Sequence, residues 1–255
     1  MRTPLDVLAA APGDQVFPLF VHAHPDDETL DTGALLGWLA DRNVHVELLT
    51  CTRGEQGEVV EGVLPAGVTQ ADLVLVRQHE LQCAKKLLGI REHDVLGTPP
   101  ARAADLPARN YHDSGMRWFA EGLAGPADLA DPMTLTAAPL TELVADLMAL
   151  IERVHPTVLV TCDNAGSYGH PDHLRAREMT VAAARQAGLP VVEFASRDDA
   201  GGFEWFELPE QRSRVVDALR CYATQLTVHD DHVIHVGGQR GEIRLRVGLR
   251  RVPQS

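Results

Sequence analysis

Residues 16–28 read VFPLFVHAHPDDE and decide the fold of this chain. Up to Ala23 the residues are almost all apolar, which is typical of a buried strand, and the sequence then turns abruptly acidic. From about residue 27 to residue 41 the apolar side chains recur at helical spacing. The stretch therefore predicts a strand that runs directly into a helix, with polar side chains collected at the turn between them.

Strands and helices alternate in the same way along most of the chain. Further strands are predicted at about residues 44–50, 93–96, 157–161 and 191–194. Further helices are predicted at about residues 71–88, 139–154 and 209–224 and from residue 171 onwards. This alternation predicts an α/β fold with a mostly parallel sheet and helices on both of its faces.

The chain shows no internal repeat and no low-complexity linker, so residues 1–255 are expected to form one domain. Its core is expected at about residues 16–195. A C-terminal helix and hairpin are expected at about residues 205–253, the hairpin because two alternating runs flank a Gly-Gly pair. Residues 98–138 show little periodicity, and an irregular stretch of this length is more often functional than idle.

Composition and charge exclude several classes of partner. The formal net charge is -13 and no basic run is present, which disfavours nucleic acid and anionic membranes. No stretch reaches the roughly 18 apolar residues of a membrane helix, and no signal peptide is recognisable, so a cytoplasmic location is expected. A homo-oligomer is left open. The cysteines form no C-x-x-C pair and predict buried thiols in a reducing compartment; they are Cys51, Cys83, Cys162 and Cys221.

Two proline-containing motifs follow two of the predicted strands. HPDDE at 24–28 comes directly after the first strand, and HPDH at 170–173 comes after the strand at 157–161. In sheets of this kind ligands bind beyond the carboxyl ends of the strands. We therefore expect the two motifs to meet there and to form a metal site.

The residue types in these motifs suit a zinc centre. His24, Asp27 and His173 offer two imidazoles and a carboxylate, which leaves a fourth position open for water. Asp26, beside a ligand but free of the metal, is the candidate general base.

The remaining residues of the second motif complete the expected chemistry. His170, if protonated, would stabilise an oxyanion or protonate a leaving amine, and Asp172 would orient that imidazole and hold it charged. Together these groups predict metal-assisted hydrolysis of an amide.

Three other functions are disfavoured. A dinucleotide-binding oxidoreductase needs G-x-G-x-x-G after its first strand, where this chain has HAHPDDE. A magnesium phosphohydrolase would use the paired aspartates, but two histidines in the same cluster favour zinc or a similar transition metal. A catalytically inactive binding protein on the same scaffold has no support, because the candidate base and all three candidate ligands are present.

The motifs HAHPDDE (22–28), TRGEQGE (52–58) and YGHPDH (168–173) resemble those of the PIG-L/LmbE-like metal-dependent deacetylases. The likeness covers most of residues 16–227 and includes ALRCYATQL at 218–226. It implies a Rossmann-like fold and zinc-dependent removal of N-acetyl groups from glucosamine-type sugars, with Fe²⁺ left open as the native metal.

The family resemblance also implies roles for individual residues. It gives His24, Asp27 and His173 as the metal ligands, in agreement with the chemistry above. Asp26 is again the general base, and His170 is the oxyanion-stabilising residue or acid. Tyr168 looks like the family's mobile tyrosine, which contacts the reacting carbonyl.

Within this family the chain is most similar to the mycothiol branch, which deacetylates N-acetylglucosaminyl-inositol or cleaves mycothiol S-conjugates. CTRGEQGEVV at 51–60 resembles that branch's loop after the second strand. The resemblance places Arg77 at its inositol-binding arginine and Asp113 at its substrate-binding aspartate. The Tyr-Gly-His order favours the biosynthetic deacetylase. The conjugate amidase, and a deacetylase of another N-acyl sugar or natural product, remain as alternatives.

Histidines outside the two motifs have simpler explanations. His22 is expected to be a hydrogen-bonded core residue. His229, His232 and His235 would alternate faces on a strand and are expected to be solvated. Arg53 and Glu55 are expected to brace the site.

Overall fold

A seven-stranded sheet forms the centre of the computed structural model, which describes residues 2–120, 123–126 and 131–253. The strands, in chain order, are β1 (Pro18–His22), β2 (Glu47–Thr50), β3 (Glu92–Val95), β4 (Met116–Ala120), β5 (Leu123–Pro126), β6 (Val158–Cys162), β7 (Val191–Phe194), β8 (Glu204–Glu207), β9 (Leu226–Val228), β10 (His232–His235), β11 (Arg240–Glu242) and β12 (Arg246–Arg251). The central sheet has the order β3-β2-β1-β6-β7-β12-β8. Its first five strands are parallel, which confirms the predicted α/β class.

Helices cover both faces of this sheet. They are α1 (Pro4–Leu8), α2 (Asp27–Ala40), α3 (Gln70–Leu88), α4 (Leu140–Val154), α5 (Gly166–Gly169), α6 (Pro171–Ala187) and α7 (Arg212–Leu219), with a 3₁₀ turn at Pro209–Gln211. Side chains of α2, α3 and α7 form one buried cluster, which includes Phe20 of β1. Side chains of α4 and α6 form a second cluster with Leu19 and Val21 of the same strand. Successive β1 residues therefore enter opposite cores, as alternation along a strand requires.

The order of the strands reverses next to β1. The chain passes from β1 to β2 on one side, whereas β6 pairs with β1 on the other side. A crevice forms beyond the carboxyl ends of strands where the order changes in this way. The turns after β1 and after β6 both open into it.

The C-terminal part differs from the prediction in three respects. The hairpin exists, but β10 and β11 form it, and the final run belongs to β12, which lies between β7 and β8 as an antiparallel strand of the central sheet. The helix predicted at 209–224 ends at Leu219. Strand β8 was not predicted. Alternation indicates a half-buried strand but carries no information about its partner, so β12 could not be assigned to the sheet from its pattern.

The cysteines also differ from the prediction. Cys51 and Cys162 are buried free thiols, as expected. Cys83 and Cys221 instead form a disulfide that joins α3 to the end of α7. Their helices pack on the same face of the sheet, a proximity that sequence spacing does not encode. Among the described residues, no helix is both long and apolar enough to cross a membrane.

Candidate metal and catalytic site

The two proline motifs meet in the crevice beyond β1 and β6. The ring centroid of His24 lies 4.7 Å from that of His170 and 5.3 Å from that of His173. The His170 and His173 rings are 5.0 Å apart. Parallel pairing of β1 with β6 produces this meeting, because both motifs leave the sheet at the same edge.

The carboxylate of Asp27 lies between two of these rings. One of its oxygens is 3.5 Å from His24 Nδ1, and the other is 3.3 Å from His173 Nε2. Charge-assisted hydrogen bonds are shorter, about 2.7–2.9 Å. Two ligands bonded at about 2.0–2.1 Å to one tetrahedral zinc ion lie about 3.3–3.4 Å apart. Each observed distance is longer than such a hydrogen bond and close to this ligand–ligand spacing, with a different oxygen of Asp27 facing each ring.

His173 has one ring nitrogen available for a metal. Its Nδ1 lies 3.2 Å from Ser167 Oγ, whereas its Nε2 is buried and has no hydrogen-bond partner among the described residues. A buried polar atom without a partner is costly, and such atoms call for an explanation. A metal ion bound at Nε2 would supply the missing partner.

His24 is held by a second carboxylate on its far side. Its Nε2 lies 3.2 Å from Asp172, which leaves Nδ1 facing Asp27. Metal-binding histidines commonly donate their other nitrogen to a carboxylate in this way. Burial lowers the pKa of His24, but the hydrogen bond to Asp172 and the nearby Asp27 outweigh burial and raise it well above its usual value. In turn, despite burial, His173 and His24 hold the pKa of Asp27 well below its usual range.

Among the described residues, two groups of three bring one ligand atom from each residue within 4.8 Å of one another: His24 with His170 and His173, and His24 with Asp113 and Asp172. The set His24, Asp27 and His173 is not one of these groups, because Asp27 faces the two rings through different oxygens. In the second group both carboxylates accept hydrogen bonds from other protein groups, as Asp27 does from His24 N at 2.8 Å. Asp172 accepts hydrogen bonds from Ser114 N at 2.8 Å and Ser114 Oγ at 2.5 Å. Asp113 accepts hydrogen bonds from other protein groups as well, which are described below.

Asp26, which directly precedes Asp27, has an unusual backbone conformation. Its φ is 115°, a region that non-glycine residues adopt at a cost of about 1–3 kcal/mol. Burial, together with Asp27 and Glu28, raises the pKa of Asp26 well above its usual value. Carboxylates with raised pKa values are typical of acid–base groups at functional sites. A bound cation would oppose this shift by favouring the charged form.

His170 departs from its predicted state. Its Nδ1 accepts the backbone N–H of Asp172 at 3.2 Å, which caps the start of α6. Burial, with the nearby His24 and His173, lowers the pKa of His170 to about 3, so the ring is neutral near pH 7. A neutral ring that accepts at Nδ1 carries its proton on Nε2 and can still donate a hydrogen bond there.

The expected pairing of Asp172 with the His170 ring is not found. The Asp172 carboxylate bonds Ser114 and His24 instead. Ser114, which belongs to segment 98–138 and lies far from α6 in the sequence, holds this carboxylate through its backbone N and its Oγ. The Asp172 carboxylate therefore orients the His24 ring, and the His170 ring is held by the backbone N–H of Asp172.

Tyr168 lies in the same cluster, on a turn with irregular geometry. Ser167 and Tyr168 have non-helical dihedral angles within α5. The Tyr168 ring centroid is 5.9 Å from that of His170 and 6.2 Å from that of His173. Burial and the nearby aspartates raise the pKa of Tyr168, which favours the protonated, hydrogen-bond-donating form.

The two residues assigned to substrate binding have different environments. Asp113 accepts from Thr52 Oγ1 and from Gln56 N at 3.0 Å, and one of its oxygens is 4.0 Å from His24 Nε2. Asp113 therefore lies beside the candidate metal-binding residues. Arg77 does not reach an open surface.

Arg77 is 2% exposed and binds backbone instead of solvent. Its guanidinium donates to the carbonyls of Gly54, Gly57 and Glu58, all within the TRGEQGE loop. In this conformation Arg77 holds that loop from within. The family resemblance implied that Arg77 contacts the substrate. That inference came from the position of Arg77 in the sequence, which carries no information about its burial.

Several residues of the site were not identified from the sequence. Ser114, Thr52 and Glu28 are buried polar residues that hold the candidate site residues, and Tyr222 contacts Glu28. Glu28, Thr52 and Tyr222 lie inside the quoted motifs HAHPDDE, TRGEQGE and ALRCYATQL, and Ser114 directly follows Asp113. Proximity in the sequence to a candidate site residue was therefore the one available signal.

Of the remaining histidines, His22 and the exposed His229 agree with the prediction, whereas His232 and His235 are half-buried instead of solvated. His22 is a core residue whose ring lies 3.1 Å from Thr32 Oγ1. The rings of His229 and His232 stack at 4.6 Å. Neither residue, nor His235, belongs to a metal-capable group among the described residues. Arg53 bonds Thr98 at 2.8 Å and Glu55 accepts from Arg53 N, so both contribute to the loop beside the site.

Comparison with known proteins adds to this geometry. Residues 19–184 match the PIG-L family, described as GlcNAc-PI de-N-acetylase. A 1D-myo-inositol 2-acetamido-2-deoxy-alpha-D-glucopyranoside deacetylase of Kineococcus radiotolerans is 38% identical over 213 residues, which cover 80% of this chain and 55% of that protein. The protein of the same name from Actinosynnema mirum is 36% identical over 249 residues, covering 84% and 82%.

A solved structure shares the fold. The zinc inhibited form of teicoplanin deacetylase Orf2 superposes with a TM-score of 0.60 and 21% identity over 94% of this chain and 100% of that chain. The chain spans about half to two thirds of the length of several curated relatives that it matches. The match over residues 19–184 and the identity to these relatives show that the chain belongs to the PIG-L family of de-N-acetylases.

Proposed function

We propose that this chain is a zinc-dependent hydrolase that removes the N-acetyl group of a glucosamine-containing small molecule of the N-acetylglucosaminyl-inositol type. One observation carries the proposal: the Asp27 carboxylate lies 3.5 Å from His24 Nδ1 and 3.3 Å from His173 Nε2, and Asp26 directly precedes it in the chain. The names of the curated relatives support the substrate class. In the proposal residues 1–255 act as a single domain in the cytoplasm.

The metal would be held by His24 Nδ1, the Asp27 carboxylate and His173 Nε2. When bound, zinc would lower the pKa of a coordinated water from 15.7 to about 7 and polarise the substrate carbonyl. Asp172 holds the His24 ring in place through Nε2, and Ser167 does the same for His173 through Nδ1. These partners fix the two tautomers that metal binding requires.

The protein's own groups would then move the proton and hold the oxygen. Asp26 would accept the proton of the attacking water and pass it to the leaving amine. The Nε2–H of neutral His170 and the hydroxyl of Tyr168 would donate hydrogen bonds to the oxygen of the reacting carbonyl as it gains negative charge. This role for His170 needs no positive charge, which agrees with its burial.

Substrate selection would depend on the loops around the crevice. Asp113 would contact a sugar hydroxyl, because its carboxylate lies 4.0 Å from His24 and is fixed by Thr52. Arg77 would act indirectly, through the TRGEQGE loop that it braces.

A panel of substrates tests the proposed function. Metal-free protein, and protein loaded with Zn²⁺ or Fe²⁺, would be assayed for release of free amine from N-acetylglucosaminyl-inositol, N-acetylglucosamine and a mycothiol-type thiol conjugate. We expect activity only with metal and the largest kcat/KM for the inositol compound. Preference for the thiol conjugate would identify an amidase instead. No amine release from any compound with either metal would contradict the proposal.

The Arg77→Met variant separates a bracing role from direct substrate binding. It leaves up to three loop carbonyls without their donor, at about 1–3 kcal/mol for each buried group that stays unpaired. We expect a lower melting temperature and a loss of kcat/KM that is similar for N-acetylglucosaminyl-inositol and N-acetylglucosamine. The exposed Arg91→Met variant is the control and should match the wild type. An unchanged melting temperature with KM raised for the inositol compound alone would show direct contact.

A further inference from the structure

The peptide bond between Pro25 and Asp26 is held at both of its polar atoms. Its carbonyl oxygen accepts a hydrogen bond from Gln225 Nε2 at 2.9 Å. Its N–H donates to Glu28 Oε2 at 3.1 Å. A peptide unit is planar, so two bonds at opposite edges fix its orientation. The strained φ of Asp26 is a rotation relative to this plane.

Glu28 is itself held by a residue distant in sequence. The hydroxyl of Tyr222, which is fully buried, donates to Glu28 Oε1 at 2.5 Å. Burial and the Glu28 carboxylate raise the pKa of Tyr222 well above its usual value, so the hydroxyl remains a donor. One oxygen of Glu28 therefore accepts from Tyr222 and from the adjacent Thr29 hydroxyl, while the other accepts from the backbone N of Asp26.

Tyr222 and Gln225 belong to one short segment that follows α7. Thr224, between them, donates from its backbone N and from Oγ1 to the two oxygens of Glu80, both at 2.7 Å. Cys221 is joined to Cys83, which like Glu80 belongs to α3. The segment is thus anchored to a long helix and presents two side chains to the turn that carries Asp26.

We propose that Tyr222 and Gln225 are positioning residues for Asp26, an inference that rests on the proposed hydrolase function. Gln225 acts on the Pro25 carbonyl, and Tyr222 acts through Glu28 on the Asp26 amide. A φ of 115° persists in an aspartate only where its surroundings impose it. Without these bonds the backbone relaxes and the Asp26 carboxylate moves away from the metal cluster. A displacement of about 1 Å at such a group costs about 100-fold in rate.

The Tyr222→Phe variant tests this inference, because it removes the hydroxyl and keeps the packing of the ring. We expect kcat for amine release to fall by about 10- to 100-fold, with KM and bound metal within about twofold of the wild type. Tyr111→Phe is the matched control. Tyr111 is also fully buried and donates to a carboxylate, Asp146, at 2.8 Å, but it lies away from Asp26. It should lose similar stability and keep kcat.

Two further measurements keep the test decisive. Gln225 is half-buried, and Gln225→Leu removes its hydrogen bond to the Pro25 carbonyl. This variant should lower kcat and leave KM unchanged. It provides the test if Tyr222→Phe fails to fold. Hydrogen exchange of the peptide covering residues 24–30 should accelerate in both variants and not in Tyr111→Phe. Full kcat in Tyr222→Phe or Gln225→Leu, or an equal loss of kcat in Tyr111→Phe, would overturn the inference.

Failure of the proposed function would be seen separately, as an inactive wild type. Hydrogen exchange would then test, without an activity assay, whether Tyr222 and Gln225 hold the backbone at Asp26. Faster exchange at residues 24–30 in the variants would support the positioning role of Tyr222 and Gln225, and unchanged exchange would overturn it.

Discussion

The Asp26→Asn variant is expected to lose about 10²- to 10⁴-fold in kcat for amide hydrolysis while keeping its metal. The change removes the group that would accept the proton, and Asp26 is outside the ligand set of His24, Asp27 and His173. Asparagine also tolerates a positive φ about as well as aspartate, so the backbone at φ 115° should be preserved. Steady-state kinetics and metal analysis of the purified protein measure the two quantities.

Asp27→Asn is the matched control, since it makes the same chemical change one residue further along the chain. The Asp27 oxygens lie 3.5 Å from His24 and 3.3 Å from His173, so this variant should lose metal together with activity. Loss of metal from Asp26→Asn would make Asp26 a ligand. Retention of full activity would remove it from the mechanism.

The His173→Ala variant is expected to lose both metal and activity. It removes the nitrogen that is buried without a hydrogen-bond partner among the described residues and leaves two of the three proposed ligands. We expect zinc affinity to fall by more than about 100-fold, beyond what changes around a metal ligand usually cost. Zinc titration of metal-free protein, followed by the amine-release assay, measures the effect.

His93→Ala serves as its control. His93 is a half-buried histidine of β3, and its ring lies 2.9 Å from Thr50 Oγ1 of the neighbouring strand β2. It should bind zinc like the wild type even if stability falls. Zinc binding at wild-type affinity by His173→Ala would exclude His173 as a ligand.

The sequence predicted where the site lies because of a general property of parallel sheets. Strands that run in the same direction end at the same edge, so HPDDE after β1 and HPDH after β6 had to lie near each other once the strands were neighbours. Ligand chemistry then selected histidines and a carboxylate. Both steps need only local pattern and residue type.

The partners of individual side chains could not be predicted in this way. Asp172 bonds His24 and Ser114 instead of the His170 ring, because its rotamer is set by contacts with an irregular segment far away in the sequence. The family resemblance implies a substrate-binding role for Arg77, but the side chain is buried against loop carbonyls. Burial of a long polar side chain depends on how a loop closes over it, and loop closure has no periodic signature.

Contacts between elements that are distant in the sequence could not be predicted either. The Cys83–Cys221 disulfide spans a sequence separation of 138 and depends on the packing of α3 beside α7. The Tyr222–Glu28 hydrogen bond depends on the same packing. ALRCYATQL was recognised as part of the family likeness, but its sequence alone gave no reason for its position against the Asp26 turn.

Zinc anomalous scattering from crystals of the metal-loaded protein tests the central claim most directly. A single strong peak is expected about 2.0–2.1 Å from His24 Nδ1, Asp27 and His173 Nε2, with Asp26 beside it but not bonded to it. A peak bonded to Asp113 and Asp172, or no peak in the crevice beyond β1 and β6, would contradict the account.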